Sequence, residues 1–184
     1  VAYTSAEPAI HESIKINLEV QSQDLEEATK TAYELTQVKV KSDLNVLHEY
    51  FYAKGKPEII NGNLMLGSSY KVNDNFEIVD NVQNLLGGAA TIFQKKGDQA
   101  IRISTNVIGE DGKRAIGTPV SPAVYDAVIN KGQTYYGTAT VVGKKYITAY
   151  EPIKNAAGEI IGILFVGVEE GSTIGILQDQ IKSK

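Results

Sequence analysis

Between Ile10 and Phe51 the apolar side chains recur at helical spacing. Ile14, Leu18, Leu25, Ala28, Ala32 and Leu35 follow in helical or heptad steps, and Leu44, Leu47 and Phe51 resume the stripe. No glycine or proline falls between residues 9 and 54. Ser5 can cap the run, Pro8 sits in the first turn, where its missing N–H costs little, and Gly55 with Pro57 stops it. The pattern predicts one helix from about Ser5 to Ala53, with Lys39 to Asp43 the place where a kink could fall. At 1.5 Å per residue such a helix is about 70 Å long. That outruns a small domain, so the excess must pack on a partner subunit or a neighbouring domain.

Beyond Gly62 the pattern changes to short runs bounded by turn residues. Leu64 to Val72 reads as a strand closed by Asn73-Asp74-Asn75, and Val79 to Leu86 as a helix closed by Gly87-Gly88. Ala89 to Lys95 and Gln99 to Ile108 read as strands joined through Lys96-Gly97-Asp98, and Asp111-Gly112 signals a hairpin into Lys113 to Thr118. Ser121-Pro122 starts a short helix ending at Lys131-Gly132. Thr134 to Val142 and Lys145 to Lys154 pair as strands around Gly143-Lys144. Glu159 to Val168 contains IIGILFVGV, almost continuously apolar, and belongs at the centre of a sheet. Residues 170–184 return to helical spacing through Ile174, Ile176, Leu177 and Ile181. The fold class expected is α+β: a long N-terminal helix packed on a PAS-like antiparallel sheet, with an exit helix. The division expected is residues 1–57 as a dimerising and signalling helix, 58–168 as the sensor domain and 169–184 as the exit helix.

Composition narrows the chemistry. The 184 residues hold 42% hydrophobic and 22% charged side chains, with a net charge of −4. A chain without basic excess is a poor match to phosphate backbones, so nucleic acid is not an expected partner. There is no cysteine, which excludes disulfides, thiolate catalysis and Cys-ligated metals. The only histidines, His11 and His48, both fall on the long helix, too far apart to share a metal, and read as solvated helix residues. Asp24, Glu26 and Glu27 read as a wet helix face. With no nucleophile elbow, phosphate loop or metal-ligand spacing, the residues point to no enzyme, no metal and no cofactor. Val1 is not an initiator methionine and no apolar run approaches the roughly 20 residues that span a bilayer. The expectation is a soluble domain trimmed from a longer protein.

Three stretches together carry a family resemblance: GGAATIF at 87–93, RISTNV at 102–107 with GEDGKRAIGT at 109–118, and YYGTATVVGKKYITAYEPIKNAAGEIIGILFVGV at 135–168. They resemble the single-Cache sensor domains of methyl-accepting chemotaxis proteins and some sensor kinases, over about residues 60 to 168. The long leading helix is similar to that family's dimerising helix. The resemblance implies an extracytoplasmic domain, periplasmic or extracellular, of a receptor anchored by transmembrane segments outside this sequence. It also implies a homodimer and a small organic ligand, often a short carboxylate such as acetate, propionate, pyruvate or lactate. Double-Cache amino-acid sensors add a second sheet domain and a Tyr/Arg/Trp/Asp set. This chain has no Trp and no room for a second sheet, so amino-acid recognition is not carried over.

Candidate ligand residues come from strand alternation. A two-residue loop at Gly143-Lys144 sets Tyr146 against Val141, Thr148 against Ala139 and Tyr150 against Gly137, all on one face. Hydroxyls then stand opposite small side chains, leaving a polar-edged hollow; the bland alternative is a face where tyrosines fill space. Arg102 sits in an apolar strand on the same expected face as Ser104 and Asn106, and Arg114 lies among small residues. A guanidinium forks onto a carboxylate through two charge-assisted hydrogen bonds, although on a sheet it commonly meets solvent or a structural Glu. Phe93 could wall the apolar side. The candidate site is therefore Phe93, Arg102, Ser104, Arg114, Gly137, Tyr146, Thr148 and Tyr150. The competing readings are a ligandless PAS-like dimerisation or protein-interaction module, and the sensor of a histidine kinase.

Overall fold

The computed structural model describes residues 6–172. Ser5, and the helical run expected through Ile174, Ile176, Leu177 and Ile181, lie outside the described residues. Helix α1 runs from Ala6 to Tyr52 (47 residues), as an uninterrupted stretch of helix formers allows, and it is not broken at Lys39 to Asp43. Among the described residues, only its second half meets the rest of the domain. Ala32, Thr36, Val40, Leu44, Leu47 and Phe51 form the buried seam. Leu35, expected in that seam, faces out because successive four-residue steps carry the stripe through Thr36 instead.

After Gly55 comes a small antiparallel sheet, β1 (Pro57–Ile60), β2 (Asn63–Leu66) and β3 (Tyr70–Lys71). A second sheet is thus present where no room for one was expected, and the single strand expected over Leu64 to Val72 is two strands. The left-handed turn at Gly67 (φ 61°) breaks it. Helix α2 (Glu77–Leu86) ends on Gly87, in the left-handed conformation that caps helices, its N–H bonded to the Gln83 carbonyl.

The main sheet holds β4 (Ala89–Lys96), β5 (Gln99–Thr105), β6 (Tyr135–Val141), β7 (Lys144–Lys154) and β8 (Ile160–Glu169). Its order is β5-β4-β8-β7-β6, with every neighbouring pair antiparallel. The apolar β8 is central, as its composition requires. Asp111-Gly112 turns the chain back on itself as expected, and Ile108 bridges Arg114 antiparallel. The Gly109 N–H donates to the Lys113 carbonyl at 2.7 Å and the Ala115 N–H to the Val107 carbonyl at 3.0 Å, although Lys113 to Thr118 forms no continuous strand. Beyond the turn Pro119 bridges Ile101 of β5. Ser121 caps α3 (Pro122–Tyr125), which continues as a π-helical turn over Asp126–Asn130.

The main sheet separates two cores. On one face α1, α2 and the small sheet pack over Ile92, Ile147, Ala149, Leu164 and Val166. On the other, α3 and the π-helical turn pack over Phe93, Tyr150, Ile163 and Phe165. His48 is not simply solvated: its Nδ1 lies 2.6 Å from Glu151 Oε1 on β7, and its ring stacks 4.4 Å from Tyr52.

Candidate functional site

The second core holds one charge. Arg102 on β5 is 6% exposed, and it is the only buried cation among the described residues. The other buried charge, Asp43, pairs with Lys39 on α1. Arg102 stands beside Phe93 in the β4–β5 register, its guanidinium carbon 5.0 Å from the centre of the Phe93 ring. One terminal nitrogen donates to the Thr118 hydroxyl at 2.6 Å, and Thr118 in turn donates to the Ala115 carbonyl at 2.6 Å. Nε is buried and has no acceptor among the described residues. None of the ion pairs among the described residues involves Arg102. Burial pushes its pKa down, with the nearby Tyr150 phenol acting the other way. Burial likewise raises the Tyr150 pKa, and the Arg102 charge opposes that rise. A desolvated cation without a counter-ion is costly. The free edge of this guanidinium, Nε with the second terminal nitrogen, has the spacing that receives a carboxylate side-on.

The hairpin register differs from expectation by two residues. Tyr146 opposes Ala139, Thr148 opposes Gly137 and Tyr150 opposes Tyr135. The turn is Val142-Gly143 (φ 48° and 77°), a pair of left-handed residues that suits the twist of a two-residue hairpin. A β-branched residue strains at such a φ, which is why composition alone points one position later. The two-residue slide keeps every side chain on its expected face but brings Tyr135 into the hollow. A Cβ on Gly137 would stand 3.2 Å from the Tyr135 hydroxyl oxygen. Tyr135 packs edge-on to Tyr150 (5.9 Å), which stacks on Phe165 (4.8 Å), so rings close the face where a void was expected. The Thr148 hydroxyl donates to the Gly137 carbonyl at 2.7 Å.

A cleft of about 330 Å³ opens at the other end of this face. Gly87, Gly88, Val142, Tyr146, Gly167 and Glu169 help to line it; Arg102 and Tyr150 do not. The Tyr146 hydroxyl has no hydrogen-bond partner among the described residues, and its pKa is raised by burial, then by Glu169.

Among protein families, residues 3–184 match the Cache 3/Cache 2 fusion domain. The chain belongs to that family. No curated protein matches it. Among solved structures, the E. coli DcuS sensor domain is similar at 16% identity and a TM-score of 0.41, over 58% of this chain and 71% of that one. The ligand-binding domain of Campylobacter jejuni chemoreceptor Tlp3, solved with L-valine, is similar at 15% identity and a TM-score of 0.40, over 96% of this chain and 68% of that one.

Within this Cache domain, Phe93, Arg102 and Tyr150 come together, and Gly137, Tyr146 and Thr148 extend the same face. Ser104 and Arg114 are committed elsewhere. A bulge in the β4–β5 pairing between Ile92 and Phe93 sets Ser104 opposite Ile92, turned away from Arg102. Its hydroxyl donates to the Asn75 carbonyl at 2.6 Å, ahead of α2. Arg114 forks onto Asp80 of α2 at 2.6 and 2.9 Å, donates to the Thr105 carbonyl and lies over the Phe76 ring. Replacing Arg114 with Gln is expected to cost about 1–2 kcal/mol, because the fork is half exposed. The corresponding fall in melting temperature is about 2–8 °C, with ligand affinity unchanged. A loss of ligand affinity at unchanged melting temperature would place Arg114 in the site instead.

Thr118, Tyr135 and Phe165 are the neighbours that reading the sequence missed. Thr118 lay within GEDGKRAIGT and Tyr135 at the head of YYGTATVV, but neither stretch signals a contact with Arg102.

Proposed function

We propose that this Cache domain is the extracytoplasmic sensor of a membrane receptor and binds a small organic monoanion at Arg102. The observation that carries the reading is the buried Nε of Arg102, without an acceptor in a core that holds no carboxylate partner for it. A carboxylate at that edge would supply the missing charge and the missing acceptor. Phe93 would cover one face of the guanidinium, and Tyr150 would border the anion. Among the described residues, this core has no second buried cation for a dicarboxylate and no buried acid for an ammonium group, which favours acetate, propionate, pyruvate or lactate over dianions and amino acids. A thermal-shift titration with these four acids, succinate and L-valine tests this. The monoanions should raise the melting temperature with concentration, as mass action requires; no shift with any of the four would sink the reading.

A homodimer through α1 belongs to the same proposal. Residues 6–31 extend beyond the buried seam, and they expose Ile10, Ile14, Leu18 and Leu25, the last two at 61% each. A stripe of that kind suits the same stripe on a second copy. Replacing Leu18 and Leu25 together with Glu should shift sedimentation from dimer toward monomer and leave the melting of the sheet domain unchanged. A monomeric wild type would rule the dimer out.

The ring packing of Tyr135, Tyr150 and Phe165 favours a second reading, a ligandless dimerisation module. The same titration separates the two. Among the described residues no helix is long and apolar enough to cross a membrane, so anchoring is assigned to segments outside them.

A further inference from the structure

The open cleft and the buried guanidinium lie on one sheet face but do not connect. Between them the β7–β8 register forms three rungs. Tyr146 opposes Glu169 at the cleft, Thr148 opposes Gly167 at its inner limit, and Tyr150 opposes Phe165 beyond. Gly167 has no side chain to fill its rung. The Phe165 ring fills it, leaning back along its own strand: a Cβ on Gly167 would stand 2.8 Å from Phe165 Cζ and 3.3 Å from Tyr146 Cδ1. The same ring stacks on Tyr150, whose phenol feels the Arg102 charge. Phe165 is fully buried, yet its outer end borders Gly167, which lines the 330 Å³ cleft.

We infer that the cleft at Tyr146 and Gly167 is the vestibule of the Arg102 site, and that Phe165 is the residue that sets which anions pass. This rests on the proposed binding of an anion at Arg102. A ligand reaching Arg102 from the cleft must take the space over Gly167 that the ring holds. For a ligand that passes through and leaves the space free, the ring slows entry; for one whose bound form keeps part of itself there, affinity is reduced by the fraction of time the ring vacates it. The cost grows with ligand length, because a longer tail must stay in that space after the carboxylate has docked. Tyr146, whose hydroxyl has no partner among the described residues, is placed to donate to a carboxylate on its way inward.

The test is calorimetric affinity of the intact domain for acetate, butyrate and hexanoate, in wild type, Phe165→Leu and Phe165→Met. Leucine is shorter than the ring, and methionine adapts to irregular space, so one of the two should preserve the fold. Wild type should prefer acetate. In the variants the hexanoate-to-acetate affinity ratio should rise about tenfold or more, as expected when a blocking conformer is removed. An unchanged ratio in folded variants, with binding still lost in Arg102→Met, would overturn the vestibule and leave the Arg102 site standing. If wild type binds none of the three acids, both fall together.

Discussion

Replacing Arg102 with methionine is expected to abolish the response to monocarboxylates while leaving the unliganded domain as stable as before, or more so. The two halves of this result have one cause. In the empty domain Arg102 is a desolvated charge with an unsatisfied Nε and no acidic partner. Exchanging buried ionic groups for apolar ones of similar size is commonly neutral or stabilising, by about 1–4 kcal/mol. Thr118 loses a donor in the exchange but keeps its own bond to the Ala115 carbonyl, so no new orphan is created. In the liganded domain the same substitution leaves a buried carboxylate unpaired, which costs about 3–5 kcal/mol. That is a hundredfold or more in Kd. Thermal melting with and without acid reads both. A clear fall in the melting temperature of the empty domain, with the acid response intact, would make Arg102 structural and end the sensor proposal.

The largest loss of stability is expected from Gly162→Ala. Gly162 sits on the central strand, paired with Gln94 on one side and Ile153 on the other. A Cβ there would stand 2.2 Å from the Phe93 carbonyl oxygen and 3.1 Å from Ile153 Cδ1. A flexible side chain can move aside; a ladder carbonyl cannot move without opening the β4–β8 pairing. Overpacking of that kind costs about 3 kcal/mol, or a fall of about 6–12 °C in melting temperature. Chemical denaturation measures it through the midpoint. A change below about 0.5 kcal/mol, the range of ordinary surface substitutions, would mean that β8 does not pair with β4 in this register.

Features with a local physical cause were legible in the sequence. A run without glycine or proline has no reason to break, so the continuity of α1 and its C-terminal end, expected at Ala53 and found at Tyr52, were readable. IIGILFVGV can be satisfied only with both faces covered, so β8 had to be central. Ser121-Pro122 carries its own helix start. What was not legible depends on distant partners or on strain. Pro57–Ile60 is too short to separate from a loop until β2 lies beside it. The hairpin turn uses Val142 in a conformation that valine disfavours, so the register was displaced and Tyr135 was left out of the site. Periodicity also could not show that Arg114 meets Asp80, 34 positions away, or that His48 meets Glu151, 103 away. Arg102 was picked for being a cation in an apolar strand. Its want of a partner appears only in three dimensions.

The half of α1 that packs on no other described part of its own chain has a mechanical consequence. Residues 6–31 project from the point where Ala32 begins the buried seam, a rod about 39 Å long at the helical rise per residue. A rigid rod held at one end is a lever. Rocking it by about 5° where it leaves the sheet carries its tip sideways by about 3 Å over that length. A shift too small to disturb the packing around Leu44 and Leu47 is thus enlarged into a displacement comparable to the width of a side chain.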